Sequence, residues 1–144
     1  MYLSSLTNRG ATPALIQTLT YSETRLQMIA ENVANMQTPG YRAKQLDVRG
    51  FQKALREALD EKGSNPHKTL EVKVTDEVRT VASGSLQVRP STLPSEHMLL
   101  HDGTNLSLER QMSQLAETGM IYEFATVALN GNFDGLRKAI RGRL

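Results

Sequence analysis

Toward the C-terminal end of the chain, Leu108, Met112, Leu115, Gly119, Tyr122, Thr126, Leu129, Phe133, Leu136 and Ile140 follow one another at alternating intervals of four and three residues. All but Gly119 and Thr126 are apolar or aromatic, and this alternation is the heptad seam of an amphipathic helix. It predicts one helix from about residue 106 to 141, on the order of 50 Å long at 1.5 Å per residue. A second seam, Leu15, Leu19, Ser22, Leu26, Ile29, Val33 and Met36, lies near the N-terminus. Thr12 and Pro13 supply an N-cap and a first-turn proline, so that helix is expected to begin at about residue 13. Its end is marked by Thr38-Pro39-Gly40-Tyr41, where proline presets φ and glycine accepts the positive φ of a type II turn. The helix should therefore stop near Met36 or Gln37. Burial of one seam residue is worth roughly 1.5 to 3 kcal/mol while ordering each backbone residue costs about 1 to 2 kcal/mol, so each seam needs a facing helix.

The middle of the chain has a different character. Leu46, Val48, Phe51, Leu55 and Leu59 predict a short amphipathic helix over about 49–61, ended by the breakers Gly63-Ser64-Asn65-Pro66. Leu70, Val72 and Val74 alternate with Glu71 and Lys73, which predicts a strand over about 69–75, continuing toward Val78 and Val81. Residues 82–105 are rich in Ser, Pro, Gly and Thr and read as an irregular excursion without a core of its own. The chain thus divides into an N-terminal helix and turn (1–41), a middle segment (42–105) and a C-terminal helix (106–144), a mainly α fold with minor β structure. Gly119 and Asn130-Gly131 interrupt the long helix with residues of poor propensity, each glycine costing about 1 kcal/mol against alanine. They are either tolerated weak points or, at Gly119 on the seam, a place where a neighbouring helix approaches closely.

Composition narrows the function. The 144 residues carry 17 Lys and Arg against 15 Asp and Glu, a formal charge of +2 too small to argue for a nucleic-acid partner. The absence of cysteine excludes a disulfide-stapled scaffold. No stretch approaches the roughly 18 apolar residues of a membrane span, and Met1-Tyr2-Leu3-Ser4-Ser5-Leu6 has neither the basic nor the apolar region of a Sec signal.

Catalytic chemistry is not evident. The chain has no P-loop, dinucleotide-binding, nucleophile-elbow or zincin pattern. His97 and His101, four residues apart, could share a metal on a helix with a third ligand such as His67, but Pro94 and Gly103 leave little room for one. Two solvated loop histidines are the plainer reading. Ser83-Gly84-Ser85 has no base placed beside it, and Asp60-Glu61 reads as a solvated helix face. The terminal Arg137, Lys138, Arg141 and Arg143 suit the negative end of a helix dipole better than an anionic partner. No cofactor, no metal, no small-molecule substrate and no enzymatic activity are expected.

Asn32-Val33-Ala34-Asn35-Met36-Gln37-Thr38-Pro39-Gly40-Tyr41 resembles the motif NxANxxTPGY that closes the first helix in the flagellar rod and hook axial protein family. Tyr41-Arg42-Ala43-Lys44 with Leu46-Asp47-Val48, and Asp102 through Met112 continuing into Leu115-Ala116-Glu117 and Tyr122, are similar to the proximal-rod members of that family. The resemblance covers the two terminal thirds of the chain. It implies that the terminal helices pair as an antiparallel coiled-coil hairpin, and that such hairpins pack side by side in a tube. It implies a structural subunit of the flagellar basal body, exported by the flagellar type III system into the periplasmic rod without a Sec signal. The absence of cysteine suits that route. Expected partners are the chain itself, other rod proteins, and components of the inner membrane ring, rod junction and export gate. The expected assembly residues are the two seams, and the turn motif is Asn32, Asn35, Thr38, Pro39, Gly40 and Tyr41. Two other readings stay open: a different axial subunit of the same family, and a cytoplasmic coiled-coil adaptor or regulator.

Overall fold

A computed structural model of the chain describes residues 10–63, 65, 68–81, 84–92 and 108–142. Helix α1 spans Thr12–Ala34, α2 Val48–Lys62 and α3 Leu108–Ile140. Between them lie four short strands, β1 (Lys44–Gln45), β2 (Val78–Thr80), β3 (Leu86–Val88) and β4 (Ser91–Thr92). They form two antiparallel pairs: β1 with β4, matching Lys44 to Thr92, and β2 with β3, matching Val78 to Val88. Among the described residues no helix is long and apolar enough to cross a membrane.

Helix α1 starts one residue earlier than its sequence suggests. Ala11, not Thr12, is the N-cap, and it makes no side-chain cap bond. Thr12 is instead buried inside the first turn, where its hydroxyl cannot serve as a surface cap. Helix α2 begins one residue before the expected 49, capped by Asp47, whose Oδ1 accepts from Gly50 N at 2.9 Å, and ends as expected at Gly63, which leaves the helix at φ 53°. Helix α3 runs unbroken through Gly119, Gly131 and Gly135. A methyl group built on Gly119 would meet nothing within 4 Å, so among the described residues no helix approaches closely there.

The expected strand over 69–75 is an extended segment without a strand ladder. Leu70 and Val72 are buried, but Val74 is 76% exposed, and Val72 is held by the Thr80 side chain, whose Oγ1 accepts from Val72 N at 3.0 Å. Pairing begins only at Val78. The segment expected to be an irregular excursion contributes β3 and β4, and Leu86 of β3 belongs to the core. Two strands of two or three residues are too short to show an alternation that distinguishes them from a loop.

The core joins α1, α2 and the β2–β3 pair. Ala14 and Tyr21 of α1 meet Phe51, Ala54 and Ala58 of α2, with Leu70, Val72, Val78 and Leu86 closing the far side. Tyr21 and Phe51 stack face to face with ring centroids 3.9 Å apart. On another side α1 lies along α3, the element that principally covers Gln111, Thr118 and Ala125 of that helix. Arg25, buried on α1, reaches Glu117 of α3 at 3.6 Å.

Tyr21 carries a cost. Its hydroxyl is buried with no hydrogen-bond partner among the described residues, and burial pushes the phenol pKa well above its ordinary value of 10. A raised folded-state pKa in an acid means stability that is complete below pH 10 and lost as pH climbs beyond it. Tyr21→Phe keeps the stacked ring and removes the unpaired hydroxyl. The variant is expected to be at least as stable as the parent at neutral pH and to hold its fold further into alkali, as circular dichroism during a pH titration would show.

Candidate functional site

The segment expected to end the first helix and turn the chain does so through its side chains. Asn35 closes α1: its backbone N–H and its side-chain amide both donate to Glu31 O, at 3.1 and 2.9 Å. Thr38 N then donates to Asn35 O at 3.0 Å, and Tyr41 N to Thr38 O at 3.2 Å. Gly40 sits at φ 77°, the left-handed value that a type II turn requires at its third residue and that only glycine accepts without strain. Thr38, Pro39 and Gly40 are exposed at the tip.

Beneath the tip, Asn32 is 1% exposed and binds the returning chain. Its Oδ1 accepts from Lys44 N at 2.9 Å and from the Tyr41 hydroxyl at 3.0 Å, while its Nδ2 donates to Lys44 O at 2.8 Å. The amide thus presents to Lys44 the same donor and acceptor pair that a neighbouring strand would present. Tyr41 must be protonated to make its bond. Burial, and after it the Glu31 carboxylate, push its pKa upward and keep it so. On the outer side Lys44 Nζ meets Glu31 Oε1 at 2.6 Å, and that hydrogen bond raises the lysine pKa.

Lys44 is also the first residue of β1, so the clamp hands the chain directly to β4. Glu77 fastens the next stretch. Its Oε1 accepts from Ser91 Oγ at 2.5 Å, its Oε2 from Asp47 N at 2.7 Å and its carbonyl from Arg89 N at 2.7 Å. Asn32, Asn35, Thr38, Gly40 and Tyr41 are therefore brought together by the structure, and Pro39 presets the exposed tip. Among the partners, Lys44 enters the sequence reading only through the family resemblance, and Glu31 and Glu77 do not enter it at all. Glu77 acts across 30 positions and leaves no local signal.

The seams sit less simply. On α1, Ser22 and Ile29 are buried and Leu15, Leu19, Leu26 and Val33 are half-buried; the helix ends at Ala34, short of the expected Met36 or Gln37, because Asn35 caps it, and Met36 is half-buried in the turn beyond. The most buried line runs instead through Ala14, Gln17, Tyr21, Met28 and Asn32, because α1 has neighbours on two sides. On α3 the buried residues are Gln111, Thr118 and Ala125, each one position before the expected Met112, Gly119 and Thr126. Leu115, Gly119, Leu129, Phe133 and Leu136 are half-buried; Leu108, Met112, Tyr122 and Ile140 are exposed. His67, His97, His101 and Ser83 lie outside the described residues, as does the expected start of the last helix before Leu108. Among the described residues no cluster of three potential metal ligands occurs.

The arrangement is a joint: it fixes the direction in which the chain leaves a long helix. The chain is similar over most of its length to curated proteins named flagellar basal body rod protein FlgB. The relative from Bacillus subtilis is 25% identical over 134 residues, covering 92% of this chain and 95% of its own. That from Cereibacter sphaeroides is 29% identical over 126 residues, 88% of this chain and 90% of its own. That from Escherichia coli is 25% identical over 123 residues, 81% and 83%. No protein-family profile and no solved structure matches the chain.

Asn32→Ala is expected to destabilise the chain by about 2 to 4 kcal/mol, since it leaves several buried polar groups without partners. Tyr41→Phe, which removes one bond, should cost about 1 kcal/mol. Urea denaturation measures both, and amide hydrogen exchange at Lys44 should accelerate far more in the first variant than at residues of α2.

Proposed function

We propose that this chain is a non-enzymatic structural subunit of the proximal rod of the bacterial flagellar basal body. The observation that carries the reading is the similarity to rod proteins over most of the chain, from several distant bacteria. The geometry is consistent with it: two long helices packed side by side, and a rigid joint between the first of them and the smaller mixed core. In the assembled rod, α1 and α3 form an antiparallel coiled-coil hairpin, and hairpins of successive subunits pack through the remaining seam residues into a shaft that transmits torque. Leu108, Met112, Tyr122 and Ile140, exposed in the single chain, are the seam positions that neighbours would cover. Gly119 gives such a neighbour room.

The subunit reaches the periplasmic rod through the flagellar type III system and contacts other copies, other rod proteins, and components of the inner membrane ring, rod junction and export gate. The alternatives of a different axial subunit or a cytoplasmic adaptor have no observation in their favour. Deletion of the gene in its own host should abolish swimming and rod formation, and the intact gene should restore both. Leu115→Asp or Leu129→Asp should fail to restore motility while the protein is still made and soluble, since a carboxylate on a packed helix face is costly. Normal swimming of the deletion strain would overturn the reading, and normal swimming of the aspartate variants would overturn the seam.

A further inference from the structure

Helix α3 has a second face. Opposite the line of Gln111, Thr118 and Ala125, the residues Ala116, Met120, Phe124, Val127 and Gly131 recur at intervals of three and four. Met120, Phe124 and Val127 are 65%, 72% and 65% exposed, a run of large side chains left open among the described residues. The stripe is self-complementary when the helix is reversed. About a point between Glu123 and Phe124, Ala116 is the counterpart of Gly131, Met120 of Val127, and Glu109 of Lys138. Small residues therefore oppose small residues at the ends, large oppose large in the centre, and an acid opposes a base beyond them.

Charge selects the same direction. Glu109, Glu117 and Glu123 outweigh Arg110 in the first half of α3, and Arg137, Lys138 and Arg141 outweigh Asp134 in its last turns and just beyond its end, so the first half is net negative and the end net positive. Side by side in parallel, two copies would set like charges together; reversed, they set the acidic half of each beside the basic end of the other. We propose that the free chain forms a closed two-fold dimer with a second copy of itself through this face, the two α3 helices antiparallel, the Phe124 rings meeting at the axis. Met120 of each copy packs on Val127 of the other, and Glu109 of each lies beside Lys138 of the other. An isologous contact of this kind closes on itself and cannot propagate. It is a state of the unassembled chain, in which the stripe is hidden from solvent, and it does not depend on the rod reading. The two Glu123 carboxylates approach each other beside the axis and oppose the pairing.

Sedimentation of the full chain over about two decades of concentration should give a reversible monomer–dimer equilibrium. Phe124→Glu should raise the dissociation constant at least about tenfold with the helical circular dichroism unchanged. Glu109→Lys and Lys138→Glu should each weaken the dimer and together restore it, and Glu123→Gln should tighten it. Axes about 8 to 10 Å apart bring position 124 within reach of its own copy, so Phe124→Cys should form a disulfide-linked dimer on oxidation. Gln52→Cys, exposed on α2, should not. A monomer at every concentration, open-ended polymers in place of a dimer, or failure of the double charge reversal to recover association would each overturn the proposal.

Discussion

The buried side-chain amide of Asn32 is the interaction on which the layout of the chain depends. A helix of 23 residues ends at Ala34, and the chain must come back along it within ten residues to deliver Lys44 to β1. Hydrogen bonds of the turn itself reverse the direction but do not fix where the returning strand lies. Asn32 does, by offering both an acceptor and a donor to one peptide unit and taking the Tyr41 hydroxyl as a third bond. A buried amide with three of its bonds made is stable, whereas the same amide with its partners shifted by one residue would be unsatisfied. That asymmetry gives a single register. From it follow the β1–β4 pairing, the position of Asp47 as the cap of α2, and the seating of Phe51 on Tyr21.

Much of this architecture could be read from the sequence, and the failures have a common cause. The long helices and the short one were legible because their apolar residues recur with helical period and because Pro and Gly mark the start and end of the first helix and the end of the short one. The side of α1 and α3 that faces inward was not. Burial in this chain is carried in good part by polar residues, among them Gln17, Arg25 and Asn32 on α1 and Gln111 and Thr118 on α3. A search for apolar spacing passes over them and finds the neighbouring line of Leu, Met and Val, rotated toward the edge of the contact. The turn motif was legible as a motif. Its mechanism was not, since the groups that complete it, Lys44 and Glu77, are recognised only once the fold brings them together.

Polar burial on this scale also explains what kind of contact α1 and α3 make. Thr118 and Ala125 are small, so along its most buried line α3 offers short side chains to α1, whose larger Met28 and Ile29 are buried outside the core shared with α2. Arg25 is placed there with a partially exposed acid at 3.6 Å, a separation at which the pair contributes little. The larger seam residues flank this line and are left half covered.

The lengths of the two helices lead further. Helix α3 has 33 residues and α1 has 23, so in any orientation about ten residues of α3, on the order of 15 Å, have no α1 to lie against. The last fully buried residue of α3 is Ala125, and beyond it Phe133 and Leu136 are only half-buried and Ile140 is 79% exposed. An isolated helical end that carries Gly131 and Gly135 has little intrinsic stability. On the reading proposed above, contacts with neighbouring subunits supply the order that the single helix lacks. A self-sufficient domain would shorten or cover such a helix; a subunit that completes its packing only among neighbours has reason to keep it.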